Sequence, residues 1–252
     1  MKTDDYQLLD SGNLCKLEQV GPFRIVRPAL NAFWSPALPE KEWDAADSVF
    51  SRRSDGSGKW SAKLPESWVI DYAGFKIKVK PTGFGHLGFF AEQFRNWGFF
   101  SGIKAGADTS MLNLFGYSGL GSMAMARSGA KVCHLDAAPG MIEWGREILK
   151  LNPDIPSSIR WIADDVNKFV RREIRRNSRY DLIALDPPTF GRGSKGEVWK
   201  IETDLLVLLQ MCKSLHKEGK LFTLVLSCHS PGFSIEVLRR MTEEVFGQGE
   251  ID

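Results

Sequence analysis

Five short apolar runs follow one another through the second half of the 252-residue chain, and a helix-length segment separates each run from the next. The runs read MLNLF, KVCHLD, IRWIAD, YDLIALD and KLFTLVLSC. The segments between them read SGLGSMAMARSG, PGMIEWGREILKLN, DVNKFVRREIRRN and EVWKIETDLLVLLQMCKSLHKEG. Alternation of this kind predicts an α/β fold, a doubly wound and mostly parallel sheet of the Rossmann-like type. In the last segment, apolar residues at helical spacing predict one helix from Val198 to Leu215.

The chain before this alternation has a different pattern. Strand-like pieces such as FRIVRP are broken by turn residues. Apolar residues on both sides of Asp71–Gly74 predict a hairpin with a short loop; they are Val69, Ile70, Phe75, Ile77 and Val79. We therefore predict two parts. Residues 1–104 form a small β-rich segment or lid, and residues 105–252 form the α/β domain.

Composition and charge exclude little. With 43% hydrophobic and 25% charged residues and a net charge of +2, the chain has the composition of an ordinary globular protein. A nucleic-acid partner would need a local basic surface. The predicted helix FVRREIRRN offers one in Arg171, Arg172, Arg175 and Arg176, although a solvated helix face explains the same residues.

Targeting signals and metal motifs are not recognisable in the sequence. No apolar run approaches the length of a membrane span, and no leader pattern begins the chain, so we expect a cytoplasmic protein without membrane contact. The four cysteines form no C-x-x-C pair and have no histidine at zinc-ligand spacing. We expect reduced thiols and no metal site.

Polar residues end the successive apolar runs. They are Asn113, Asp136, Asp164 with Asp165, Asp186 and Cys228. Ligands of open parallel sheets bind beyond the carboxyl ends of the strands. Any single acid here also fits a helix cap, but the series predicts that several acids share one crevice.

The turn after the first run indicates what the crevice holds. NLFGYSGLGS has the spacing G-x-x-G-x-G, not the G-x-G-x-x-G of dinucleotide-binding proteins, and a tight strand-to-helix turn would also use these glycines. Asp136 follows Asn113 by 23 residues, where a carboxylate can accept both hydroxyls of a ribose. A ring of acids suits a nucleoside with a sulfonium and an ammonium group better than it suits a pyrophosphate. The pattern therefore predicts S-adenosylmethionine as cofactor.

The motifs GFGHLGFFAEQ, LNLFGYSGLGS, CHLDAAPGM, IADDVNKFV and LDPPTFGRGSK, within about residues 83–240, resemble those of class I S-adenosylmethionine-dependent methyltransferases. The chain looks most like the ribosomal-RNA large-subunit methyltransferases that modify cytosine C5, and their relative that acts on guanine N7. Three features depart from this family. Phe94 stands where the RNA enzymes usually carry an arginine, and the N-terminal β-rich segment does not resemble their RNA-binding domain. The chain also stops at GQGEID, where the usual fold adds a strand pair.

The resemblance implies a set of cofactor-binding residues. Asp136 would bind the ribose, Asp165 the adenine amine, and Asp186 would lie beside the transferable methyl group. The other residues implied to bind the cofactor are Gln93, Asn113, Gly116, Tyr117 and Gly119.

Asp186 and Cys228 are the candidate catalytic residues. Pro187 and Pro188 have fixed φ and no amide hydrogen, so they stiffen the loop that presents Asp186, and a base could stack near Phe190. A plain turn is the alternative. For Cys228 the resemblance implies a nucleophile that adds to carbon 6 of cytosine. An inert buried thiol is the alternative, and methylation of guanine N7 or an exocyclic amine would need no cysteine.

Three functions fit these residues. The first is a methyltransferase that uses S-adenosylmethionine to methylate a base in RNA, such as ribosomal RNA. The second is a methyltransferase of a protein or small molecule, and the third is a non-catalytic module that binds S-adenosylmethionine or RNA. The sequence does not predict the oligomeric state.

Overall fold

The structure, a computed structural model, describes residues 4–54, 56–106, 108–193, 196–217, 219 and 221–249. The chain forms two compact units. One is the part up to Arg95 together with Lys150–Asn152, and the other is Asn96–Leu149 with the part from Pro153 onward. The sequence places the change at residues 104–105, where the strand–helix rhythm begins. The earlier division in the structure reflects the helix Phe94–Gly102, most of which belongs to the second unit.

The first unit is built on a five-stranded sheet. Its strands, in both chain order and spatial order, are β1 (Tyr6–Gly12), β2 (Cys15–Val20), β3 (Phe23–Pro28), β4 (Ser48–Arg52) and β5 (Gly58–Trp60), with helix α1 (Glu40–Asp44) between β3 and β4. All neighbours are antiparallel except β3 and β4, which run parallel. The predicted β-rich N-terminal segment is confirmed.

The predicted hairpin is confirmed as well. Strands β6 (Trp68–Tyr72) and β7 (Phe75–Val79) pair antiparallel around a two-residue turn. Ala73 and Gly74 have φ values of 48° and 78° in this turn, because a two-residue hairpin with the twist of the strands needs the left-handed conformation at both positions.

A buried ion pair holds the first unit together. Glu18 is fully buried, and the Arg27 guanidinium donates to both of its carboxylate oxygens at 2.7 and 2.8 Å. Tyr6 adds a third hydrogen bond at 2.9 Å. Burial acts to raise the pKa of Glu18, but Arg27 and Lys16 outweigh burial and lower that pKa below the usual value. The carboxylate is therefore held in its charged form inside the unit.

The second unit contains the parallel sheet. Its elements are α2 (Phe94–Gly102), β8 (Ser110–Leu114), α3 (Leu120–Arg127), β9 (Lys131–Asp136), α4 (Pro139–Lys150), β10 (Ile159–Ala163), α5 (Val166–Arg175), β11 (Leu182–Leu185), β12 (Phe190–Arg192), β13 (Val198–Lys200), α6 (Ile201–Lys213), β14 (Thr223–Leu226) and α7 (Ile235–Phe246). The sheet has the order β10-β9-β8-β11-β14, and every neighbouring pair is parallel. The predicted α/β fold is confirmed. All four residues of β11 are buried, as expected for a strand covered on both faces.

The prediction of one helix from Val198 was wrong. Val198–Lys200 forms β13, which pairs with β12 in a small hairpin, and α6 begins only at Ile201. The indole of Trp199 is buried and donates to the carbonyl of Pro188 at 2.7 Å, while Val198 is half-exposed. The residues of this extended segment are alternately exposed and buried. Its apolar residues nevertheless have the spacing of a first helical turn, which is why the sequence pattern predicted a helix here.

Within the described ranges, no helix combines the length and the apolar character that crossing a membrane requires.

Candidate active site

The strand order creates a crevice at one edge of the parallel sheet. From β8 the chain moves to β9 and β10 on one side, and it then returns to place β11 and β14 on the other side. Beyond the carboxyl end of β8 this reversal opens the kind of gap in which such sheets bind ligands. Asp136 ends β9 and Asp186 follows β11, so the two acids flank β8 and lie about 10 Å apart by strand spacing.

Asp136 is held by backbone hydrogen bonds from both sides. Its Oδ2 accepts from the amide of Tyr117, and its Oδ1 accepts from the amide of Ala138, each at 2.9 Å. Burial raises the pKa of Asp136 above its usual 3.8, and the two amides oppose this rise. A carboxylate offers about four acceptor positions, so each oxygen retains capacity for a hydroxyl donor.

The glycines of the turn make room for two rings of the protein itself. A Cβ on Gly116 would lie 2.4 Å from Cε1 of His134, and a Cβ on Gly119 would lie 2.5 Å from Cη2 of Trp161. Gly119 also has a φ of 84°, which disfavours any other residue. The packing of β9 and β10 against the turn therefore requires both glycines, independently of a cofactor.

The same turn is strained at two residues that are not glycine. Phe115 and Tyr117 have φ values of 57° and 52°. A left-handed conformation costs such residues on the order of 1–3 kcal/mol, and strain of this kind concentrates where proteins bind ligands. The Phe115 ring packs edge-on against Trp199, with centroids 4.9 Å apart, which helps to hold the turn.

Asn113 belongs to a buried network that the sequence did not predict. Its Nδ2 donates to Oγ of Ser122, which lies 2.9 Å from Nδ1 of His134. Burial lowers the pKa of His134 to about 3, so the ring is neutral. Asn113 is 8% exposed, and the network ties β8, α3 and β9 together beneath the turn. Ser122 gave only a weak signal, a polar residue on the inner face of a helix.

Asp165 caps helix α5. Its Oδ1 accepts from the amide of Lys168 at 2.9 Å, which is the capping role that any acid at a strand end can have. Asp164 accepts from the amide of Asp165 and pairs with Arg172. The second carboxylate oxygen of Asp165 makes no hydrogen bond to a described residue, so that oxygen is available to a ligand.

Gln93 lies in the first unit, at the end of a single 3-10 turn, Ala91–Gln93. The side chain is half-buried. Its role toward a cofactor stays a prediction.

The loop after β11 is fixed by hydrogen bonds to the backbone carbonyl groups of Pro188 and Thr189. Trp199 donates to the carbonyl of Pro188, and the amide of Ile201 donates to the carbonyl of Thr189 at 3.1 Å. The rigid presentation of Asp186 that the two prolines predict therefore has additional support from the β13–α6 junction. Phe190 is 51% exposed, as a ring available for stacking must be.

The segment 227–230, which follows β14, lies beside this loop. The amide of Ser227 donates to the carbonyl of Leu185 at 2.9 Å, and its hydroxyl accepts from Nδ2 of Asn96 at 3.1 Å. Cys228 is half-buried and not bonded to another cysteine, and His229 places Nε2 3.8 Å from Oδ1 of Asp186. The structure thus brings both predicted catalytic residues to neighbouring strand ends. From the sequence, His229 is only a neighbour of Cys228 that could activate its thiol, and the proximity of His229 to Asp186 is an addition of the structure.

The basic helix face is partly neutralised. Arg172 pairs with Asp164, and Arg176 pairs with Glu173, whereas Arg171 and Arg175 are exposed. Among the residues that the structure describes, no group of three or more histidine, cysteine or acidic side chains has the arrangement of a metal site.

The donor set fits a nucleoside cofactor with a positively charged tail. Asp136 offers acceptors for a ribose, Asp165 offers an acceptor beyond β10, and Asp186 offers negative charge on the opposite side of β8. A pyrophosphate is an anion, so these carboxylates would repel it. S-adenosylmethionine matches both features, and it supplies an activated methyl group.

Comparison with known proteins agrees with this geometry. The sequence model of the S-adenosylmethionine-dependent methyltransferase family matches residues 42–241. The crystal structure of the SAM-dependent methyltransferase from Agrobacterium tumefaciens is 39% identical, covers 96% of this chain and 78% of its own, and superposes with a TM-score of 0.89. SMU.776, solved in complex with SAH, shares the fold at 19% identity and a TM-score of 0.79, over 99% of this chain and 68% of its own.

Curated relatives carry the name ribosomal RNA large subunit methyltransferase K/L. The protein of Pseudoalteromonas translucida is 28% identical over 180 residues, which are 69% of this chain and 24% of the relative. The protein of Shewanella frigidimarina is 31% identical over 156 residues, which are 61% of this chain and 21% of the relative. The chain thus spans about a quarter of the length of these relatives.

The fold and the crevice define a class I methyltransferase domain. The chain belongs to the S-adenosylmethionine-dependent methyltransferase family, whose cofactor is the one that the acids at the strand ends predict.

Proposed function

We propose that this chain transfers a methyl group from S-adenosylmethionine to a base in RNA, with ribosomal RNA as the first candidate substrate. The observation that carries the proposal is the pair of acids on either side of β8, Asp136 for the cofactor and Asp186 for the reaction. The names of the curated relatives support an RNA substrate.

The cofactor-binding residues follow from this assignment. Asp136 accepts the ribose hydroxyls, and the free oxygen of Asp165 accepts from the adenine amine. Gly116, Tyr117 and Gly119 form the turn beneath the cofactor, and Asn113 supports that turn through Ser122. For Gln93, a contact with the cofactor is implied by the resemblance alone.

On the reaction side, the residues suit carbon 5 of cytosine. This carbon is a poor nucleophile until a thiolate has added to carbon 6 of the ring. Cys228 provides the thiol, and the loop Asp186–Phe190 provides a carboxylate and an exposed ring for a flat base. Methylation of guanine N7 would use neither a thiol nor a proton acceptor.

The test is transfer of a labelled methyl group from S-adenosylmethionine to RNA, followed by nucleoside mass spectrometry. Ribosomal RNA from cells that lack the gene is the substrate, and RNA from the parent strain is the control. We expect labelled 5-methylcytidine to form only in the first RNA, because the same site in the parent RNA is already methylated. Transfer to protein or to small molecules, with none to RNA, would refute the proposal.

A further inference from the structure

Two hydrogen bonds fix the backbone on either side of His229. Upstream, the hydroxyl of Ser227 accepts from Asn96 at 3.1 Å. Downstream, Oγ of the buried Ser230 lies 2.7 Å from Oγ1 of Thr189, in the loop that follows β11. The residues Cys228 and His229 therefore form a short bridge whose ends are both anchored, which limits where the two side chains can reach.

The His229 ring approaches Asp186 from this bridge. Its Nε2 lies 3.8 Å from Oδ1 of Asp186, and its side chain is 59% exposed, against 30% for that of Asp186. A neutral imidazole at this distance makes no direct hydrogen bond. An imidazolium would gain the attraction of the carboxylate. The exposed ring lies where a substrate can reach it from solvent.

Methylation of cytosine C5 needs such a group. After the methyl group has joined C5, this carbon still holds its hydrogen, and the aromatic ring is restored only when that proton leaves. Histidine is the side chain whose charge ordinarily changes between about pH 5 and 8, and a general base works best when its pKa is near the working pH.

We propose that His229 is the proton acceptor of the reaction and that Asp186 stabilises the resulting imidazolium. This inference rests on the proposed RNA methylation. The Cys228 thiolate adds to C6 of cytosine, which breaks the C5–C6 double bond and leaves its electron pair on C5. C5 uses this pair to form a bond to the methyl carbon, while the electron pair of the broken sulfur–carbon bond stays on the sulfur of S-adenosylmethionine. His229 removes the proton from C5, the C5–H electrons form the C5–C6 double bond, and the C6–sulfur bond breaks to return the thiolate.

This assignment also restricts the substrate. Guanine N7 carries no hydrogen, so its methylation needs no proton acceptor at this position. A histidine and a cysteine side by side therefore favour methylation of a carbon atom that bears a hydrogen.

The test compares His229→Gln with the wild-type chain on RNA that carries tritium at cytosine C5. The wild type should release tritium in step with methyl transfer. His229→Gln should release tritium roughly 100-fold more slowly and should accumulate a covalent protein–RNA adduct through Cys228, because the step that breaks the adduct is blocked. The rise in wild-type rate with pH that a histidine base produces should be absent from the variant. Cys228 and Asp186 are the titratable groups that remain beside position 229.

His216→Gln is the matched control, since His216 follows α6 and contacts the carbonyl of Lys213. It should match the wild type in rate, pH profile and adduct level. Calorimetry should show unchanged S-adenosylmethionine affinity for both variants.

Three results would overturn the inference, and each has its own signature. If His229→Gln keeps the wild-type rate and pH profile, His229 is not the proton acceptor, whereas the proposed RNA methylation is unaffected. A slow variant without adduct and with weaker cofactor binding assigns His229 a merely structural role. A wild type that methylates RNA at guanine N7 removes the need for a base, whereas a wild type inactive on RNA refutes the proposed function as well.

Discussion

Thr189 Oγ1 and Ser230 Oγ lie 2.7 Å apart and join the two loops that leave the sheet after β11 and β14. The first loop carries Asp186 and the second carries Cys228, so this hydrogen bond joins the two loops beyond the paired strands β11 and β14 and helps to set the spacing of the two candidate catalytic residues. Ser230 is 7% exposed. Thr189 is exposed, so the bond lies at the edge of the buried region.

Removing this bond should slow the reaction more than it weakens cofactor binding. We expect Ser230→Ala to lower kcat by roughly 10-fold, because small displacements of reacting groups are costly. The affinity for S-adenosylmethionine should stay within about 2-fold, since the cofactor residues lie mainly on β8, β9 and β10. Steady-state kinetics and calorimetry measure the two quantities. Thr189→Ser keeps a hydroxyl and should behave as the wild type, and an equal loss in both variants would contradict this role of the bond.

Asp136 should make cofactor binding depend on pH. A carboxylate must be ionised to accept both ribose hydroxyls, and burial raises the pKa of Asp136 above 3.8. Affinity for S-adenosylmethionine should therefore fall as the pH is lowered through this raised pKa, earlier than an ordinary aspartate would cause. Asp136→Asn should weaken binding roughly 10- to 100-fold near pH 7, which is the loss of one or two charge-assisted hydrogen bonds.

Calorimetry over a pH series distinguishes this effect from general acid instability. Asp154→Asn is the control, because Asp154 is an exposed residue that pairs with Arg127. It should leave both the affinity and its pH dependence unchanged. Equal affinities for wild type and Asp136→Asn across the series would mean that the ribose does not bind at Asp136.

Cys228 should form a covalent bond with RNA that contains 5-azacytidine. This analogue accepts the thiolate at C6 but does not allow normal release, so the wild type should appear as a protein–RNA adduct on a denaturing gel. Cys228→Ala should form no adduct. Cys15→Ala is the matched control, since Cys15 is also half-buried and not disulfide-bonded. An adduct that persists in Cys228→Ala, or is missing from the wild type, would exclude Cys228 as the nucleophile.

Sequence reasoning succeeded where a local pattern has one physical explanation. Strands such as β11, with four buried residues, can form only inside a parallel sheet that is covered on both faces. The acids at their carboxyl ends then converge because parallel strands share one edge. Asp136 and Asp186 were predicted correctly to lie at that edge for this reason.

The sequence pattern did not predict the structure where contacts between residues far apart in the sequence determine it. Trp199 is extended and buried because its indole reaches Pro188, and this contact overrides the helical spacing that begins at Val198. The glycine turn was recognised in the sequence. The reason that positions 116 and 119 must be glycine is that rings on β9 and β10 leave no room for a side chain at Gly116 and Gly119. The approach of His229 to Asp186 depends on the anchoring of Ser227 and Ser230, which no motif indicates.

The ion pair of the first unit gives a stability prediction. Arg27→Met leaves the buried carboxylate of Glu18 with only Lys16 and Tyr6 as partners. Breaking a buried pair by removing one partner costs about 3–5 kcal/mol, and we expect a loss at the lower end of this range. The double variant Arg27→Met with Glu18→Leu removes the charge and should recover part of this loss. Urea unfolding of the full chain measures the free energy of unfolding for each variant.

A surface ion pair of the same type provides the control. Arg24 pairs with Glu42 at 3.1 Å, and both side chains are partly exposed, so Arg24→Met should cost less than about 1 kcal/mol. The buried pair should also lose its contribution at low pH. Because the pKa of folded Glu18 lies below the unfolded value of 4.5, its stabilisation is complete above pH 4.5 and disappears as the pH falls through the folded pKa. If Arg27→Met and Arg24→Met lower the free energy of unfolding equally, the buried cluster does not hold the first unit together.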